Sequence, residues 1–276
     1  MQNLANLVER IRRENPRVTS EEIINSLREY LQVQILKSIY QSKYGQNLSF
    51  VGGTCLRICY DLKRYSEELD FNLDRKVVKH DLEKLCKIIQ RGLSLRNIEA
   101  DLNISAKKTV QKAFIKVPDV LGKLRLSKVK EQKIHIKIEI DTNPVDIRCG
   151  KVESFFVSRY NEIFPILKHD LETLFAGKII AILCRPYKRG RDFYDLIWYL
   201  NRKTKVNLAY LNEGLKDKGQ DFSDEEAVYK KLDEVVEKVK PDFILRDIGR
   251  FLEDPGEKVW IRQYQEVYFQ LRRKKP

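Results

Sequence analysis

Phe50-Val51-Gly52-Gly53-Thr54-Cys55-Leu56-Arg57, followed by Arg64-Tyr65-Ser66-Glu67-Glu68-Leu69-Asp70-Phe71, is the stretch on which the fold of this chain turns. The apolar run Leu48 to Val51 ends at a Gly-Gly turn, and helical character resumes from Thr54 to Tyr60. A strand, a glycine turn and a helix N-terminus bearing a hydroxyl are therefore predicted. Glycines allow a backbone to approach a phosphate closely, and N–H groups at a helix start donate to it. Gly52, Gly53 and Thr54 are accordingly candidates for nucleotide binding. Downstream, residues 68–73 alternate with strand period, placing Leu69, Phe71 and Leu73 on one face and Glu68, Asp70 and Asn72 on the other. Two carboxylates side by side suit hard divalent cations, which keep the rest of their shell for water and substrate phosphate. A pair of such ions about 4 Å apart activates an attacking hydroxyl and stabilises a leaving oxygen.

Before this stretch, Thr19 with Glu22 forms a capping box, and Ile23, Ile24, Leu27, Leu31, Ile35 and Ile39 recur at helical spacing up to a stop near Gly45, predicting a long amphipathic helix. After it, Val77, Leu82, Leu85, Ile88 and Ile89 predict a helix over 77–93. Strands are then expected at Ile98 to Ser105, Ala113 to Val117, Val120 to Leu126 and Ile134 to Asp141. In the last, Ile134, Ile136, Ile138 and Ile140 share one face, while His135, Lys137, Glu139 and Asp141 share the other. Either Glu139 or Asp141 can supply a third carboxylate. Glu139 is preferred because it sits mid-strand, whereas Asp141 opens an Asp-Thr-Asn-Pro turn. After Pro165 only helices are expected, near 170–184, 190–201, 206–217, 223–239 (capped by Ser223 with Glu226), 242–252 and 258–273, with a short basic tail from Arg272 to Lys275. Strands followed by helices predict an α+β domain over 1–160 and a helical domain over 161–276.

Composition narrows the class. The 276 residues carry 53 Lys+Arg against 40 Asp+Glu, a formal charge of +13. With 42% hydrophobic residues, 12 Gly and 8 Pro, the chain is neither disordered nor collagen-like. No apolar run is long enough for a membrane span, and Met1 to Arg13 has no apolar h-region of a signal peptide. Five scattered cysteines and three dispersed histidines argue for free thiols in a cytoplasmic protein and against a zinc site. The basic excess suits a polyanionic partner, or a lysine-rich solvated surface.

A second informative stretch is Leu174-Phe175-Ala176-Gly177-Lys178-Ile179-Ile180-Ala181-Ile182-Leu183-Cys184-Arg185, then Lys188-Arg189-Gly190-Arg191-Asp192-Phe193-Tyr194-Asp195-Leu196. Lys178, Ala181 and Arg185 share a helix face, where a cation can hold a triphosphate. Asp192 and Asp195 sit one turn apart near the next helix start, a position that the helix dipole also favours for acids.

The Gly-Gly turn followed by Glu68-Leu69-Asp70-Phe71 resembles the nucleotidyltransferase superfamily, with two departures. Fourteen residues separate Gly53 from Glu68, and the first acid is Glu where Asp is commoner. Together with the strand Ile-Lys-Ile-Glu-Ile and Lys, Ala, Arg and Arg-Asp-x-x-Asp on two helices, residues 48 to 200 resemble the AbiEii/AbiGii-type nucleotidyltransferase toxins. The resemblance implies a nucleotidyltransferase-like mixed sheet with flanking helices and a helical C-terminal domain. It implies that Glu68 and Asp70 bind metal, with Glu139 completing the set. Lys178 would bind phosphate and Asp192 would be an essential acid. Gly52, Gly53, Thr54, Arg57, Ser66 and Arg185 would line the nucleotide. The implied chemistry is transfer of a nucleoside monophosphate from an NTP, with Mg2+ or Mn2+, to an acceptor hydroxyl. RNA, notably the tRNA 3′ end, is the expected acceptor and an antitoxin the expected partner. A protein-modifying nucleotidyltransferase and a catalytically inactive nucleotide- or RNA-binding module are the alternatives.

Overall fold

The computed structural model describes residues 2–74, 80–127 and 132–273. Val77 of the predicted helix and Lys274 and Lys275 of the basic tail lie outside the described residues. The first elements are α1 (Gln2–Glu14), α2 (Ser20–Tyr40), β1 (Leu48–Val51), α3 (Gly52–Tyr60), β2 (Glu68–Leu73) and α4 (Leu82–Ser94). There follow β3 (Asp101–Ser105), β4 (Val110–Val117), α5 (Val120–Lys123), β5 (Ile134–Asp141), β6 (Val152–Arg159) and β7 (Glu162–His169). The remainder is helical, with α6 (Leu171–Cys184), α7 (Gly190–Asn201), α8 (Leu208–Leu215), α9 (Glu225–Val236), α10 (Pro241–Ile248), α11 (Lys258–Arg262) and α12 (Tyr264–Arg273).

The strands form one seven-stranded mixed sheet in the order β3-β4-β5-β2-β1-β7-β6. Central β2 runs antiparallel to β1 and parallel to β5, with Glu68 opposite Lys137 and Asp70 opposite Glu139. Because β5 alternates strictly, its four isoleucines are at most 1% exposed, each contributing about 1.5–3 kcal/mol on burial, while its polar residues all turn to the other face. The capping box is formed: Thr19 accepts from the Glu22 N–H, and the Thr19 N–H donates to Glu22 Oε2 at 2.6 Å. Yet α2 is buried on nearly every side, including Asn25, Glu29, Gln32 and Gln34, rather than along one stripe. Specific partners offset part of that cost: Gln32 Nε2 donates to the Ser66 carbonyl at 2.9 Å, and Glu29 accepts from Arg57 Nε at 2.6 Å.

Four expectations are corrected. Val120 to Leu126 is not a strand; Pro118 and a left-handed Asp119 (φ 60°) turn the chain into the short helix α5. Strands do not end before Pro165, because β6 and β7 form a hairpin. Its two connecting residues, Tyr160 and Asn161, both take positive φ, as a tight type I′ turn requires. Pro165 is tolerated in β7 because β1 meets β7 at Phe50 opposite Lys168, beyond the proline. The cap of α9 is Asp224, which accepts from the Ala227 N–H at 2.8 Å, and not Ser223. The single helix expected over 258–273 breaks at Gln263 into α11 and α12.

The chain separates into two compact units. The first holds the residues up to Asp61, Tyr65–Pro144 and Ser154–Lys168; the second holds Leu62–Arg64, Val145–Glu153 and the chain from His169 onward. In the second unit, Arg64 bridges Leu252, and the Glu253 N–H donates to the Lys63 carbonyl at 3.2 Å.

Candidate functional site

Parallel pairing of β2 with β5 directs opposed residues to the same sheet face, so the register itself gathers the acids. Carboxylate oxygens of Glu68, Asp70 and Glu139 lie within 4.8 Å of one another, all half-buried. Asp141 stands outside this group; its Oδ1 accepts from the Asn143 N–H at 2.9 Å, the bond of a turn residue. Three converging oxygen donors on rigid strands fit a hard divalent cation in number and in donor type.

Two lysines from the same sheet face already compensate the acids. Lys137 Nζ lies 3.0 Å from Glu68 Oε1 and 2.7 Å from Glu139 Oε1, and Lys112 Nζ, opposite Glu139 on β4, lies 3.0 Å from the same oxygen. Burial alone would raise the carboxyl of Glu139, but hydrogen bonds from Lys137 and Lys112 outweigh it and hold it below the usual carboxylate range. Burial likewise works against the charge of Lys137, and the two carboxylates more than restore it. Lys137 thus places a positive charge between two of the three carboxylates. Alternation along β5 already puts Lys137 on the face of Glu139, but its reach to Glu68 follows only from the pairing of β5 with β2.

The glycine turn has a steric reason. Gly52 has a φ of +78°, and a Cβ there would fall 2.2 Å from Asp70 Oδ2. Any side chain would strain the backbone and displace the carboxylate. Val51 caps α3 without a side-chain hydrogen bond, so the first N–H groups of the helix face the same end of β2 that carries Asp70. Thr54 is fully buried and its hydroxyl donates to the Glu68 carbonyl, which fixes the start of β2. Arg57 is buried too, paired with Glu29 and lying 4.2 Å over the Tyr65 ring. Ser66 is 8% exposed, in the loop that Gln32 anchors.

The remaining predicted residues belong to the second unit, where they form an ion network that is buried around Asp192 and reaches solvent at Arg185, whose side chain is 39% exposed. Lys178 Nζ lies 2.8 Å from both Asp192 Oδ1 and Asp195 Oδ2. Arg185 Nη1 donates to Asp192 Oδ2 at 2.6 Å. Arg64, 2% exposed, grips Asp195 with two parallel bonds, Nε to Oδ1 at 2.7 Å and Nη2 to Oδ2 at 2.6 Å. Burial favours the neutral form of Asp192, but Lys178 and Arg185 reverse this and lower its carboxyl below the ordinary value. Lys178 is held protonated by the same two acids against its own burial. Arg64 opens the Arg-x-Ser-x-Glu-Leu-Asp-Phe segment of the sequence, but its partner Asp195 lies 131 residues away and is revealed only by the fold.

Residues 34–276 match the family described as nucleotidyl transferase AbiEii toxin, Type IV TA system. No curated protein matches the sequence. Among solved structures, a Helicobacter pylori protein provisionally described as a nucleotidyltransferase is similar with a TM-score of 0.50 at 16% identity, over 89% of this chain and 95% of that one. JHP933 from Helicobacter pylori gives a TM-score of 0.49 at 16% identity, over 91% and 94% of the two chains.

Proposed function

The chain belongs to the AbiEii family of nucleotidyl transferase toxins of type IV toxin–antitoxin systems, and from that premise we propose that it transfers a nucleoside monophosphate from an NTP to a hydroxyl of RNA, the tRNA 3′ end being the favoured acceptor. The observation that carries this reading is the convergence of Glu68, Asp70 and Glu139 on one face of adjacent parallel strands. Those three residues would hold Mg2+ or Mn2+, which when bound supplies charge neutralisation at the reacting phosphate. The protein's own share is positioning. Gly52 leaves room for the Asp70 carboxylate, Thr54 fixes the strand that presents Glu68, and the uncapped N–H groups of α3 offer donors to phosphate oxygens. With a cation held by the three acids, Lys137 would be free to donate to the triphosphate. Such chemistry rests chiefly on orientation and electrostatics.

Within this proposal Lys178, Arg185 and Asp192 shape the second unit as one charge-compensated network, and Lys178 reaches a phosphate only by exchanging a carboxylate partner. An antitoxin partner accords with family membership, and the +13 charge supports an RNA acceptor. Among the described residues no helix is long and apolar enough to cross a membrane. The test is incubation with labelled NTPs and Mg2+ in the presence of total tRNA or total protein. Label entering RNA, and absent with Asp70→Ala, is the expected result. Label in protein instead would establish the protein-modifying alternative, and nucleotide binding without transfer to either pool would establish the binding module.

A further inference from the structure

β6 ends the sheet order β3-β4-β5-β2-β1-β7-β6, so one of its long sides has no neighbouring strand. The turn at Tyr160 and Asn161 sets Arg159 opposite Glu162, and at the far end of the hairpin the Asp170 N–H donates to the Lys151 carbonyl at 3.0 Å. Between these two points both strands have the same number of residues, so the ladder carries no bulge. Lys151 thus turns its polar backbone groups to β7, and by alternation Glu153, Phe155, Val157 and Arg159 do the same. Ser154, Phe156 and Ser158 turn theirs to the open side, where among the described residues no other segment bonds to them.

An unpaired edge invites a strand from another chain unless a charge, a proline or a bulge blocks it. From Ser154 to Ser158 the edge has none of the three. Phe156, at its centre, is 66% exposed, and Ile163 on the neighbouring β7 is 73% exposed, so the sheet face beside the edge is apolar as well. The edge is also self-complementary. In an antiparallel pair with a second copy, a two-fold axis at Phe156 sets Phe156 against Phe156, Ser154 against Ser158 and Glu153 against Arg159. Arg159 can take part, because its side chain is 28% exposed and its acid contacts within the chain are long, 3.5 Å to Glu29 and 3.9 Å to Asp61. An axis at Phe155 would instead bring Arg159 onto Lys151, and an axis at Val157 would set Phe156 against Ser158. Opposed aromatics and opposite charges stabilise a strand pair, whereas like charges destabilise it, so the register centred on Phe156 is favoured.

We propose that β6 pairs antiparallel with β6 of a second copy of this chain, about a two-fold axis at Phe156, to give a homodimer with one continuous sheet. A two-fold interface must complement itself, which this edge does and an unrelated strand meets only by chance. The backbone groups of Ser154, Phe156 and Ser158 gain partners across the axis, and the two phenyl rings cover each other. β1 and β7 stand between β6 and the acid-bearing β2, so the pairing is separate from the transfer site.

Sedimentation of the full chain over a wide range of concentration tests this, with a monomer–dimer equilibrium expected. Phe156→Arg should weaken association about tenfold or more, since it removes the aromatic pair and opposes two like charges. Phe156→Tyr should keep the dimer. Phe156→Cys should form a disulfide between two copies of residue 156 on mild oxidation, because opposed residues of a hydrogen-bonded pair lie about 5.5 Å apart at Cα, the usual span of a disulfide. Ile163→Cys, as exposed but on β7, should not. Asp70→Ala should leave association unchanged and Phe156→Arg should leave Mn2+ binding and melting temperature unchanged, which separates this proposal from any failure of the transfer-site reading. A monomer at every concentration, a dimer that Phe156→Arg does not weaken, or a cross-link that forms with Ile163→Cys and not with Phe156→Cys would each overturn the proposal.

Discussion

Gly52 shows how tightly one residue is constrained when backbone and chemistry share a space. Its positive φ and the 2.2 Å approach of a hypothetical Cβ to Asp70 Oδ2 both forbid a side chain. Gly52→Ala is therefore expected to cost about 1–3 kcal/mol in stability and to weaken Mn2+ binding, read by urea unfolding and by electron paramagnetic resonance. Lys137 gives the opposite prediction. Its ammonium, paired with Glu68 and Glu139, would compete with any metal held by them, and two unit charges 4 Å apart interact by about 4 kcal/mol near a protein surface. A fraction of that suffices for a change of about tenfold. Lys137→Met should thus tighten Mn2+ binding about tenfold while slowing nucleotide transfer, and unchanged affinity would mean that the lysine does not occupy the ligand set. At this scale the acids were readable from strand alternation, because a period of two fixes which side chains share a face. The lysines that neutralise them depend on the register between strands, which no single segment contains.

Among the elements, those whose pattern is local were legible and those decided by tertiary pairing were not. β1 follows from a short apolar run, β2 and β5 from alternation, and α6 and α7 from helical spacing, with ends that agree closely with expectation. The β6–β7 hairpin escaped notice because Tyr160 is an unusual residue at positive φ and Pro165 suggests a break. The buried character of α2 was hidden for a similar reason, since its polar residues acquire partners only from distant segments. The segment before β2 was singled out, but the pairing of Arg64 with Asp195 of α7 within the second unit was not readable from it. Removing one partner of such a buried pair leaves a charge uncompensated, so Arg64→Met should destabilise the protein by about 3–5 kcal/mol in chemical denaturation. A loss under about 1 kcal/mol would show that solvent reaches the site. The same network predicts a pH dependence. Because Asp192 is held below its ordinary 3.8, its contribution is present above that value and disappears as pH falls through the depressed folded value. Asp192→Asn should therefore flatten the loss of stability below pH 3.8, as followed by thermal melts across pH 2 to 7.

For the molecule as a whole, the net charge of +13 takes on a narrower meaning once its cations are placed. Lys178 and the partly exposed Arg185 pair with Asp192, Arg191 approaches Asp247 at 3.7 Å, and Arg64 and Arg57 are buried against acids, so several cations of the basic excess are neutralised within the fold. These five cations share four acids, Asp192, Asp195, Asp247 and Glu29, so their pairing accounts for almost none of the surplus. Lys107, Lys108, Lys123 and Lys188 are among the exposed contributors. If that surface guides RNA, binding must release counterions, and engagement of about six phosphates predicts a loss of about a thousandfold in affinity between 50 and 200 mM salt. Fluorescence anisotropy of labelled tRNA in EDTA separates this from transfer chemistry, which needs the metal. A slope corresponding to one phosphate or fewer would assign the surplus to solvation and would shift the weight of the proposal to a protein acceptor. A steep slope that Asp70→Ala leaves intact would place RNA capture on the basic surface and chemistry on the acidic strands, two tasks that opposite charges require a protein to keep apart.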